Sequence, residues 1–254
     1  MEVTQAPSAA TATEAGAESS LSPIARTIAI YSNPAGAWVG LRNRSQWWFP
    51  LIVMTLLSLC LSAALYERAV IPMISEQWDQ MVEDGRMTAE QVDRMEQGLH
   101  SPVGMVMGAV PQILAWPITM LLLGAGIAFG MNFILGKKLP FRVAFEVACW
   151  SSLVLIPASL LTAVLAWSKE TMKGIHLGPG ILVPMADPPQ KWQIGAASFL
   201  DAFGPFELWT VAVVIIGAST LSGAPRKSTL WVIGGLYIAL RLLKIGRASC
   251  RERV

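Results

Sequence analysis

The chain has 254 residues, 54% of them hydrophobic and 14% charged, with a formal net charge of +2 and a mean hydropathy of +0.51. An ordinary soluble domain carries about 25% charged residues, so this chain lacks the polar surface of a soluble protein, and its near-neutrality gives no basic surface for nucleic acid. Its apolar residues come in blocks near the roughly 20 residues that cross a bilayer, and the expected class is an all-α polytopic membrane protein.

Both ends stand apart from the rest. Residues 1–25 are polar and rich in Ala, Ser, Thr and Glu, without the apolar stretch of a signal peptide, and are expected to form a disordered tail. The last ten residues, IGRASCRERV (245–254), match in every position the in-frame translation of a common sequencing-library adapter. They are expected to be a non-native scar, with the native chain cut short near Lys244. Without them the chain holds sixteen Lys+Arg and sixteen Asp+Glu. Cys250 goes with the scar. Cys60 and Cys149 remain, each inside an apolar span, as small packing residues rather than a disulfide or a metal site.

Residues 26–46 form a cytoplasmic juxtamembrane segment. Ile24 to Leu41 is expected to be either a short surface helix anchored by Ile24, Ile28 and Trp38 or a plain linker. The first span is 47–66, with Trp47 and Trp48 at its interface and Pro50 in its first turn. Glu67–His100 holds eight acidic residues against three Arg and is expected outside the cytoplasm. Ile74, Trp78, Met81 and Val82 keep helical spacing up to a stop at Asp84-Gly85. Thr88 and Gln91 then make a capping box, with Met87 and Val92 as its hydrophobic staple, and Val92, Met95 and Leu99 continue an apolar face. The expectation is an amphipathic helical hairpin, solvated as a cap or resting on the membrane or a partner.

Ser101–Gly136 carries no charge and is too long for one perpendicular span. A break at Pro111 and Pro117 is expected, with the second span at 112–135. Gly126 and Gly130 form a GxxxG pair that admits a close neighbouring helix. The third span, 143–167, is expected to kink at Pro157, with Ser151 and Ser152 answering freed carbonyls. Glu146 sits near its start, one turn after Arg142. The second outer loop, 168–195, is turn-rich. The fourth span is 196–221 and contains Asp201 and Glu207. The fifth, 229–244, is truncated. The two short loops KKLPFR and GAPRKS carry five Lys/Arg and the two long loops six, which puts the short loops and the N-terminus in the cytoplasm and the C-terminus outside.

No HExxH, GxSxG or phosphate-loop pattern occurs. His100 and His176 lie in different loops without a carboxylate or Cys at metal-ligand spacing. No catalytic residue, cofactor or metal is expected. An acid at membrane depth suggests a function by default. For Asp201 and Glu207 the readings are a helix-end cap beside Gly204-Pro205, an ion path, or a partner contact.

The stretch LGKKLPFRVAFEVACWSSLVLIP resembles the Ypt/Rab-interacting protein (YIP) family, prokaryotic type. Its turn is Leu135, Gly136, Lys137, Lys138, Pro140, Phe141 and Arg142, followed by Trp150, Ser151, Ser152 and Pro157. Lys137 stands where a second Gly is common, and Pro157 lies a few residues late. A second match is FLDAFGPFELWTVAVVIIGAST, in which Asp201, Phe203, Leu208, Trp209 and Gly217 fit, with two residues inserted near Gly204-Pro205. A third runs from Tyr31-Ser-Asn-Pro34 through Trp48 and Pro50. The resemblance covers about residues 30–244. It implies a cytoplasmic N-terminus, five spans over 47–244 and association with other membrane proteins. The small-GTPase binding of eukaryotic members is not carried over. Asp201 transfers as a family position.

The resulting expectation is a non-enzymatic membrane organiser or interaction scaffold of the bacterial inner membrane, in contact with lipids and with other membrane proteins or itself. The alternative is a transporter or channel subunit using Asp201 and Glu207. Candidate functional or packing residues are Asp201, Glu207, Trp209, Gly126, Gly130 and Pro157.

Overall fold

The computed structural model describes residues 21–184, 186 and 190–250, and among them every regular element is helical. Residues 1–20 of the expected tail and residues 251–254 of the adapter-like segment lie outside the described residues. Helix α1 (Pro23–Ser32) starts inside the stretch assigned to the tail, because Ser22 caps it by accepting from the Ala25 N–H. The segment after it is not a plain linker. Ile24 and Ile28 are exposed, but Arg26, Ile30, Trp38 and Leu41 are buried. Trp38 is therefore a core residue rather than an interfacial anchor.

Helix α2 (Trp48–Leu65) does not end at Tyr66, as the first span was expected to. A π-helical turn at Tyr66–Val70 carries it into α3 (Ile71–Glu83). Pro72 lies in the first turn of α3, and the wider turn before it accommodates the missing donor. The hairpin forms at the expected residues. Gly85 turns at φ 67°, both bonds of the Thr88–Gln91 capping box are present, and α4 (Ala89–Leu99) buries Val92.

Helix α5 (Pro102–Phe129) contains Pro111 and Pro117 without a break, which corrects the expected interruption. Each proline removes one ladder bond, and the helix continues on the others. A π turn at Gly130–Ile134 ends it. Helix α6 (Phe141–Ser152) passes through a 3₁₀ turn at Leu153–Leu155 into α7 (Ile156–Lys169), so the expected disturbance falls just before Pro157. Ser152 Oγ donates to the Cys149 carbonyl at 2.7 Å. Ser151, expected to share that task, has a buried hydroxyl with no partner.

The expected span 196–221 is two helices, α8 (Lys191–Asp201) and α9 (Pro205–Ser222). Gly204 is extended (φ −64°, ψ 156°) and Pro205 occupies the first turn, an arrangement that starts a new helix instead of prolonging the old one. Helix α10 (Arg226–Cys250) follows.

Among the described residues four helical stretches are long and apolar enough to cross a membrane: Trp48–Glu83, Val110–Ile134, Phe141–Lys169 and Pro205–Ser222. The expected fifth, 229–244, lies on α10 and is not among the four.

Close packing is concentrated at one end. The largest fully buried side chains include Trp38, Leu41, Met131, Leu139, Trp150 and Leu153, all near α1 and the turns Leu135–Pro140 and Gly223–Pro225. Phe49 stacks on Trp150 at 5.8 Å. Toward the hairpin the helices enclose open space.

Candidate functional site

At the α1 end, charged and polar side chains fasten the lead-in segment to the bundle. Glu146 is fully buried. Its carboxylate accepts from Ser45 Oγ at 2.8 Å and from the Gln46 N–H at 3.3 Å, while Arg142 Nε stands 4.0 Å away. Glu146 is thus held by the lead-in segment more than by its helical neighbour Arg142. Arg26 donates to the Val39 carbonyl at 3.1 Å and lies 5.4 Å from the Trp150 ring centroid. Burial lowers the Arg26 pKa from its ordinary value, and the Glu146 carboxylate opposes that shift.

Three more side-chain bonds complete the clasp. Pro157 cannot donate to Leu153, four residues back. The Leu153 carbonyl instead accepts from the Ile156 N–H in the 3₁₀ turn and from the Tyr31 hydroxyl. Burial raises the Tyr31 pKa, which favours this protonated donor. Arg42 donates to the Leu221 carbonyl near the end of α9, and Arg142 donates to the Arg42 carbonyl at 2.6 Å. Trp38 packs on Gly217, where an added Cβ would lie 2.6 Å from the indole. The basic turn is fixed separately. Asn132 donates to the Leu139 carbonyl at 2.8 Å and accepts from the Leu139 N–H at 2.9 Å.

At the hairpin end a partly open chamber of about 470 Å³ lies between α2, α5, α7 and α9, with Asp201 and Glu207 at its rim. Each acid has a partner. Asp201 meets His176 Nδ1 at 2.6 Å and accepts from the Gly180 N–H at 3.1 Å, so it anchors the loop before α8 rather than standing open. Glu207 accepts from Arg241 at 2.8 Å, and Tyr237 of α10 donates to the Ala202 carbonyl at 2.8 Å. Asp201 and Glu207 thus border one chamber but are engaged by different elements, a loop and α10.

The other candidates divide. Gly126 and Gly130 do admit a close helix, and that helix is α10. A Cβ at Gly130 would lie 2.8 Å from Val232, and one at Gly126 would lie 3.1 Å from Leu236. Trp209 is 40% exposed and reaches none of the buried charges. Pro157 sits at the clasp. Sequence reasoning missed His176 and Arg241 as partners. Arg241 carried a signal, being the only charge in TLWVIGGLYIALRLL (229–243). His176 carried none, because its carboxylate lies 25 positions away. Among the described residues no group of three or more His, Cys, Asp or Glu is placed to hold a metal.

A family model, described as Yip1 domain, matches residues 28–246. No curated protein and no solved structure matches the chain.

Proposed function

The chain belongs to the Yip1 domain family, and from that premise we propose that it is a non-catalytic organiser or interaction scaffold for other membrane proteins. It is an integral membrane protein with apolar spanning helices. The observation that carries the reading is the use made of three acids on or beside the apolar helices. Glu146, Asp201 and Glu207 each bind a named partner from another part of the chain, as latches that hold a scaffold in shape. α10 supplies the fifth span, the α1 end and the basic turns face the cytoplasm, and the hairpin faces outward from the bacterial inner membrane.

The hairpin is the contact surface. Met95 is 43% exposed on it, whereas Val92 is buried within it and Gly126 is covered by α10. A photo-reactive residue at Met95, activated in intact membranes, is expected to cross-link a specific membrane protein. The same residue at Leu122, exposed on the apolar face of α5, is expected to give lipid adducts. Identical adducts at both positions would overturn the scaffold reading.

The transporter reading keeps one observation in its favour, the chamber beside Asp201 and Glu207. Ion flux that depends on those acids would replace the scaffold reading with it.

A further inference from the structure

Several hydroxyls on the helices of this chain bond back to their own backbone. Thr119 donates to the Ala115 carbonyl at 2.7 Å, Ser168 to Val164 at 2.9 Å and Thr210 to Phe206 at 2.8 Å. Ser58, Ser62, Ser159 and Thr162 all line the chamber, and among the described residues none of the four makes such a bond. Two further polar groups line the same space. Gln112 and Trp116 sit one turn apart on α5. Gln112 Oε1 and Trp116 Nε1 are both buried without a hydrogen-bond partner. One is an acceptor and the other a donor, and leaving either dry and unpaired is unfavourable.

The chamber does not end at these residues. Ser62, Val70, Gln112 and Met172 also line a second space of about 1400 Å³ beneath the α3–α4 hairpin. The two spaces therefore share a wall there. The deeper one has the size of an ordinary ligand pocket, about 300–1,000 Å³, and the usual anatomy of apolar walls with a few convergent polar groups. Its walls are the hairpin-side halves of helices that cross a membrane. Helices apolar enough to cross a membrane are surrounded by lipid, which favours a lipid as the molecule that reaches the chamber.

We propose that the two spaces form a single binding site for an acyl lipid of the leaflet on the hairpin side. The acyl chain occupies the chamber, and the headgroup lies beneath the hairpin. The polar region between them meets α5, where an ester carbonyl accepts from Trp116 Nε1 and a lipid hydroxyl or ammonium donates to Gln112 Oε1. The site is independent of whether the hairpin also contacts proteins.

The test uses the full chain in vesicles of phosphatidylethanolamine and phosphatidylglycerol, doped with phosphatidylethanolamine carrying a diazirine on its acyl chain. After illumination, label is expected on Leu61 and Ala158 inside the chamber, and also on Leu122 and Phe133, which are 69% and 79% exposed on the outside. Ala158→Trp fills the chamber and is expected to remove the inside label while leaving the outside label, which also reports that the variant has inserted. Native mass spectrometry of the extracted protein is expected to show a retained phospholipid, lowered about fivefold or more in Gln112→Leu. Label confined to the outside face, or retention unchanged in both variants, would overturn the proposal.

Discussion

Tyr31 and Glu146 hold the α1 end through one hydroxyl and one carboxylate, and each makes a prediction that one substitution tests. Tyr31→Phe removes the hydroxyl that serves the Leu153 carbonyl and is expected to lower stability by about 1 kcal/mol. In a Pro157→Ala background the backbone donor returns, so the same substitution should cost measurably less. A double-mutant cycle by chemical unfolding in lipid vesicles reads the difference, and equal costs in both backgrounds would contradict the link between Tyr31 and Pro157. Because the folded-state pKa of Tyr31 is raised, its bond is present below the unfolded tyrosine value of about 10 and is lost only as pH rises through the higher folded value. Its contribution should therefore be flat between neutral pH and mild alkali. Glu146→Leu strands the Ser45 hydroxyl and the Gln46 N–H and leaves Arg26 without its nearby carboxylate. A loss of about 3 kcal/mol is expected, with Glu146→Gln losing less. An unchanged unfolding midpoint in Glu146→Leu would count against the clasp.

Helix packing here depends on a few close approaches. The Trp38 indole lies so near Gly217 that Gly217→Ala brings a methyl carbon to 2.6 Å, and a loss of about 1–3 kcal/mol is expected. Trp38→Leu should relieve part of that loss when combined with Gly217→Ala, and thermal unfolding of the four proteins checks it. Gly130→Leu should push α10 away through Val232, visible as faster proteolysis of α10 while α2 to α7 stay protected. The sequence made some elements readable and left others hidden, for physical reasons. The hairpin was legible because capping chemistry and apolar spacing are local. The GxxxG pair was legible as a packing surface, but not its partner, since any helix can fill such a notch. The split between α8 and α9 was signalled by Gly204-Pro205 yet outweighed by the continuous apolar run. The prolines of α5 misled in the opposite sense, because composition does not show how much of a ladder survives around them. Trp38 looked interfacial because an indole suits both interface and core, and only Gly217 across the fold decides which. His176, Ser45 and Gln46 were beyond reach, since their partners are set by tertiary contact.

Across the whole molecule, one end is closed and the other open. The α1 end gathers the large buried side chains and the clasp, while the hairpin end encloses the chamber with Asp201 and Glu207 at its rim. A scaffold needs the first and tolerates the second, whereas a transporter would need the rim acids free to exchange ions. The measurement that separates these is proton and monovalent-cation flux into proteoliposomes, comparing the wild-type chain with Asp201→Asn and Glu207→Gln. The account predicts flux no greater than in protein-free vesicles for all three proteins, together with lowered thermal stability of both variants as the His176 and Arg241 latches are lost. Wild-type flux that disappears in Asp201→Asn or Glu207→Gln, without a change in stability, would contradict it.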